Sequence, residues 1–180
     1  MRHPLHAPRI WRKWPVTLSF DQTPPHRGYP GPEDGGWQPI TPATQAAVRA
    51  AVAIWCEATR RRLRVEYVDR GGAIRYMATT TLRRGWEGYA YWPGRRRPRA
   101  QAGDVWVAHE TINLVPAPPG SYAFAVHLHE IGHALAGLIH PPTGYASPSI
   151  MGHRIMPDAK RRYFARPTDG DLKAVRAWFR

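Results

Sequence analysis

A chain of 180 residues, 43% of them hydrophobic and spread along its length, fits one domain and is long enough to bury a core. No apolar run approaches the roughly 20 residues of a membrane-spanning helix, and the single cysteine, Cys56, excludes an internal disulfide framework and a cysteine-built zinc cluster. The net charge of +13 comes mostly from arginine and favours acidic partners in general. The runs at 60–62, 95–97 and 161–162 are scattered, however, and carry no helix-turn-helix or zinc-finger spacing, so nucleic acid is not the expected partner.

Met1 to Phe20 mixes Arg, His, Pro and Trp without the apolar stretch of a signal peptide. A mature fragment, another export route and residence inside the cell, phage-borne included, all stay open as locations. Within this stretch Val16 to Phe20 alternates and predicts a first strand. Residues 21–40 are dense in Pro and Gly and read as a long loop. Thr41-Pro42 opens a helix, with Thr as N-cap and Pro at the first position, and Ala47, Ala51, Ile54 and Trp55 mark its apolar face to about Arg60. Cys56 falls on this helix and reads as a small core residue.

Leu63 to Val68 and Ala73 to Met77 predict two more strands around a turn at 69–72. Gly88 to Trp92 and Asp104 to Ala108 predict a fourth and a fifth, separated by a basic loop. Ser121 introduces a helix over about 122–137, an irregular segment rich in Pro and Gly follows, and a final helix over about 168–179 is capped by Thr168 or Asp169. The order implies an α+β fold: one domain over 1–180, a twisted five-stranded mixed sheet packed on two long helices, and a loop-rich C-terminal part with a closing helix.

The chemistry lies in His129-Glu130-Ile131-Gly132-His133, an H-E-x-x-H pattern inside the apolar helix. Positions four apart share a helix face, so both imidazoles can reach one ion while Glu130 points at the water beside it. Zinc suits such an open nitrogen site, because it polarises a carbonyl and lowers the pKa of bound water toward about 7. Glu130 then takes that water's proton and delivers it to the leaving amine. Gly137 breaks the helix, and His140, three residues later, supplies the third ligand that a catalytic zinc site requires. His127 lies on another helix face and reads as structural.

From Ser121 into His133-Ala134-Leu135 the sequence resembles the active-site helix of the metzincin peptidases, closest to the matrixin and serralysin branches. The likeness extends, in order, through Trp14 to Phe20, Ala51 to Trp55, Gly72 to Tyr76, Gly88 to Gly94, Gly103 to Trp106 and Thr168 to Leu172. It implies a zinc-dependent endopeptidase with one catalytic zinc, acting as a monomer on a protein or peptide. The substrate is expected to lie along Gly88, Tyr89, Ala90 and Tyr91 as an added strand. Ser149-Ile150-Met151 resembles the Met-turn, with Met151 beneath the zinc ligands and Met156 as its rival. His153 stands where a tyrosine assists the metal or the oxyanion in the astacin and serralysin branches, which gives it a hydrogen-bonding role. Arg154 and Lys160 to Tyr163 are expected to wall the pocket beyond the scissile bond.

Three features depart from the family. The motif H-E-x-x-H-x-x-G-x-x-H has Ala136 where glycine belongs, and Gly137 comes one residue late. One residue rotates a helix exit by about 100°, so His140 reaches the metal only through a π-bulge or a widened turn. The 78–87 segment lacks the His/Asp-rich insertion of the matrixin structural sites, so calcium is not indicated, and no cysteine switch is visible. The contrasting reading is a basic, non-catalytic binding module with structural zinc, for which an intact Glu130 has no use.

Overall fold

The computed structural model describes residues 11–23, 36–80, 82, 86–93, 102–142, 149–152, 155, 162–177 and 179. Six strands form one mixed sheet: β1 (Val16–Phe20), β2 (Trp37–Gln38), β3 (Val65–Tyr67), β4 (Ile74–Thr79), β5 (Gly88–Ala90) and β6 (Asp104–Ala108). Their order is β3-β1-β4-β6-β5, with β2 paired to the end of β4. The β1–β3, β1–β4 and β4–β6 pairs are parallel, whereas β2–β4 and β5–β6 are antiparallel. β5 therefore forms one edge.

Period-two alternation sorts the sheet's residues between its faces. Leu18, Phe20, Ile74, Tyr76, Ala78, Val105 and Val107 enter the main core, shared with helices α1 (Pro42–Ala58) and α2 (Tyr122–Ala134). Met77 and Trp106 form a smaller cluster with Trp37, Leu82 and Tyr89. In α1 the buried Ala47, Val48, Ala51, Val52 and Trp55 recur at helical spacing, and the Thr41 hydroxyl accepts from the Thr44 amide at 3.1 Å, as an N-cap should. Ser121 caps α2 in the same way, accepting from the Phe124 amide.

α2 has no solvent face after its first residue: Ala123 through Ala134 are all buried. The Trp55 indole donates to the Leu128 carbonyl at 2.9 Å, and the Trp11 indole donates at 2.8 Å to Ala134, one of the carbonyls a helix end leaves open. At the other helix's end, Arg60 and Arg61 take φ of 55° and 59°, the left-handed region, at a cost of about 1–2 kcal/mol each. α3 (Asp169–Ala177) closes the chain, and Thr168 and Asp171 cap it reciprocally: the Asp171 amide donates to the Thr168 hydroxyl, and the Thr168 amide to Asp171 Oδ2.

The structure corrects four expectations. The sheet has six strands and not five, because Trp37–Gln38, inside the stretch read as loop, pairs with Thr79 and Ala78. Trp37 packs edge-on against Trp106 at 4.6 Å, a tertiary contact that no local pattern announces. α2 ends at Ala134 and not near 137, because Gly137 adopts φ of 62°. α3 covers 169–177 and not 168–179, and a π-helical turn at His109–Asn113 follows β6 unannounced. That turn anchors α1, since the Asn113 carbonyl accepts from the hydroxyls of Thr41 and Thr44.

Gly132 sits where α2 crosses both α1 and Met151. A Cβ there would lie 2.6 Å from Met151 Sδ and 3.0 Å from Trp55 Cζ2. Gly132→Ala is therefore expected to lower stability by about 1–3 kcal/mol through overpacking, read as a fall in midpoint on thermal unfolding. An unchanged midpoint would show that the crossing is looser than this.

Candidate metal centre

His129 and His133 project from one face of α2, and both are 5% exposed. Their Nδ1 atoms meet backbone carbonyls: His129 with Ile150 at 2.6 Å and His133 with Leu138 at 2.7 Å. A carbonyl oxygen only accepts, so each Nδ1 carries the hydrogen and each neutral ring keeps its lone pair on Nε2. Those two Nε2 atoms lie 3.0 Å apart, and His140 brings a third to 3.2 Å from His129 and 3.1 Å from His133.

The lone pairs of His129 and His133 thus converge on each other and on the His140 ring nitrogen. A cation in contact with all three nitrogens suits this set. Zn–N bonds of about 2.0–2.1 Å place tetrahedral ligand nitrogens about 3.3–3.4 Å apart, slightly wider than the triangle here, so the donor set fits such an ion with minor expansion. These residues are also the one group among the described residues able to hold a metal.

The late glycine is absorbed in the turn. Gly137 is left-handed, and the Leu138 amide bonds to the Gly132 carbonyl at 3.1 Å. That bond spans one residue more than the 6→1 bond of a Schellman turn. The widened turn aims the Leu138 carbonyl at His133 and lets His140 come back over α2. The expectation of a wider turn at Gly137 holds.

Glu130 is buried beneath β5. A Cβ on Gly88 would lie 2.6 Å from Glu130 Oε1, so only glycine leaves the carboxyl its place. Its Oε2 is buried without a hydrogen-bond partner, and burial pushes the carboxyl up to about 8. A dication nearby acts in the opposite direction. His127 faces the sheet, where its Nδ1 lies 2.8 Å from the Tyr76 hydroxyl, and burial lowers its pKa to about 4. It stays neutral and away from the histidine triad, as a structural residue.

Met151 is fully buried under α2 against Gly132. Its neighbour Ile150 supplies the carbonyl for His129 and is itself held by Asp171, whose Oδ2 accepts from the Ile150 amide at 3.2 Å and whose Oδ1 accepts from the Ser149 hydroxyl at 2.5 Å. A path of bonds thus runs from α3 through Ile150 to an imidazole of the triad. Sequence reasoning missed Asp171. Its spacing from Thr168 signals a helix cap, but its reach to Ile150 is tertiary.

Gly88, Tyr89 and Ala90 form β5, and Tyr91 continues the ladder by donating to Asp104 and accepting from Gly103, each at 2.8 Å. Their outer edge pairs with no strand among the described residues. His153, Arg154, Met156 and residues 160–161 lie outside the described residues. No model of a known protein family matches the chain, and no curated protein matches it significantly, so the geometry alone carries the functional reading.

Outer partners that orient a ligating histidine are typically worth about 10–100-fold in metal affinity. Asp171→Ala is expected to weaken zinc binding by that order, measured by competition with a chromogenic chelator, while far-UV circular dichroism stays native. Unaltered affinity would remove Asp171 from the site.

Proposed function

We propose that the protein is a zinc-dependent endopeptidase of the metzincin kind. The observation that carries this reading is the triangle of Nε2 atoms, locked by two backbone carbonyls, beside a buried carboxyl without a hydrogen-bond partner on one of its oxygens. A structural metal site has no need of such a carboxyl, whose burial costs stability.

In this mechanism His129, His133 and His140 hold the ion through Nε2. Bound zinc supplies Lewis acidity for a peptide carbonyl and acidifies water. Glu130 receives the proton of the attacking water and passes it to the departing amine nitrogen, a role open to a carboxyl with one oxygen unsatisfied. An extended peptide adds to the outer side of β5, an edge of the described sheet, along Gly88 to Tyr91, which sets its scissile bond over Glu130. His153 is proposed to stabilise the oxyanion; kcat/KM unchanged in His153→Ala would dismiss that role.

The decisive experiment joins metal analysis to cleavage of a peptide library. One zinc per chain is expected, with cleavage abolished by chelation. Glu130→Gln is expected to retain the zinc and lose about 10²–10⁴-fold in kcat/KM. Protein that refuses zinc, or a Glu130→Gln variant with full activity, would end the proposal. Gly88→Ala gives a finer test, because it displaces the carboxyl and not the ligands. Its kcat should fall by up to about 10²-fold at unchanged zinc content.

A further inference from the structure

A cavity of about 250 Å³ lies where the C-terminal ends of α1 and α3 meet, lined by Thr59, Arg60, Arg62, Arg176 and Phe179. It shares no residue with the metal centre. Arg62 donates to the Phe179 carbonyl at 3.0 Å, and its guanidinium carbon stands 5.6 Å from the centre of the Phe179 ring. Among the described residues the one salt bridge joins Arg75 to Asp104, so no described carboxylate neutralises the three arginines of the cavity. Arg60 also holds a left-handed backbone, with φ of 55°, where glycine would sit without strain. The chain keeps a cationic side chain at a position whose backbone disfavours it, and retained strain of this kind clusters at ligand sites.

Charge balance narrows the ligand. Three guanidiniums bring three positive charges, and the two helix C-termini together offset about one of them. Among the described groups about two positive charges remain. A phosphomonoester carries about 1.5–2 negative charges near neutral pH and three terminal oxygens, and arginine forks match such oxygens in pairs. A carboxylate or a phosphodiester brings one charge and two terminal oxygens, too few for three forks. The volume falls below the roughly 300–1,000 Å³ of drug-sized sites, so the bound group is small.

We propose that the cavity between the ends of α1 and α3 is a binding site for a phosphomonoester, with Arg60, Arg62 and Arg176 around the phosphate and Phe179 against the group that bears it. The site is independent of the peptidase reading and stands or falls separately.

Titration calorimetry of the full chain in 0.15 M NaCl, with phenyl phosphate, inorganic phosphate and dimethyl phosphate, tests it. Phenyl phosphate and inorganic phosphate should bind, and dimethyl phosphate at least about tenfold more weakly. Arg176→Gln and Arg60→Gly should each weaken binding by about tenfold or more, while Arg70→Gln, an exposed arginine outside the cavity, should not. Arg60→Gly should at the same time raise the unfolding midpoint by about 2–4 °C, because glycine relieves the left-handed strain. Loss of binding in a stabilised protein separates a ligand role from a structural one.

Co-sedimentation with phosphatidic acid vesicles that Arg176→Gln abolishes would assign the phosphate to a lipid headgroup. Phenyl phosphate binding without such co-sedimentation would assign it to a soluble molecule. No binding of either monoester overturns the site, as does binding that the Arg60 and Arg176 variants leave intact. Binding that only chelation removes would put the anion on the metal centre and overturn it as well.

Discussion

Two backbone carbonyls govern the candidate site. Ile150 and Leu138 each take an Nδ1 hydrogen, and by doing so they fix the tautomer and the direction of His129 and His133. Without them the imidazoles could rotate apart or place hydrogens on the facing nitrogens, and the convergence of their lone pairs would vanish. With them the lone pairs of His129 and His133 stay turned toward the His140 ring, the arrangement a cation would use. The carbonyls come from different depths of the fold. Leu138 arrives by a local turn five residues past its histidine, whereas Ile150 is 21 residues from His129 and is held in place by Asp171 of α3. The closing helix therefore contributes to ligand geometry without touching a ligand.

Rigidity follows from the packing of α2. A helix buried on every side cannot roll, and its small residues sit where neighbours press hardest: Gly132 against Met151 and Trp55. Close packing of that order transmits displacements of a few tenths of an ångström. Glu130 is the exception that such packing permits. Its carboxyl is confined beneath Gly88 with one oxygen unsatisfied, an arrangement that costs stability and has no value to the core. It lies between an edge strand of the described sheet and the histidine triad, where the proposed peptidase reading gives that cost a chemical use.

What could be read from the sequence was what local spacing encodes. The β1 strand, the Thr41 and Ser121 caps and the shared face of His129 and His133 all follow from periods of two or 3.6 and from cap chemistry. Met151 was placed by a short Ser-Ile-Met resemblance, and it does lie beneath α2. What depended on contacts between distant segments stayed hidden. Trp37 joins the sheet because Trp106 is there to receive it, and Asp171 reaches Ile150 only once α3 has docked. His140 falls between the two. Its spacing from Gly137 was visible, but the bond from Leu138 to Gly132 that widens the turn is a property of the folded backbone.

The chain's charge and its candidate metal centre belong to separate parts of the molecule. The centre is built from neutral imidazoles and one carboxyl, with no arginine among its hydrogen-bond partners in the described residues. Exposed arginines without a described carboxylate partner line the cavity where α1 and α3 end, and there too the local backbone is strained at Arg60. Converging ring nitrogens suit a cation and guanidiniums around a cavity suit an anion, and in both places the ends of helices set the geometry.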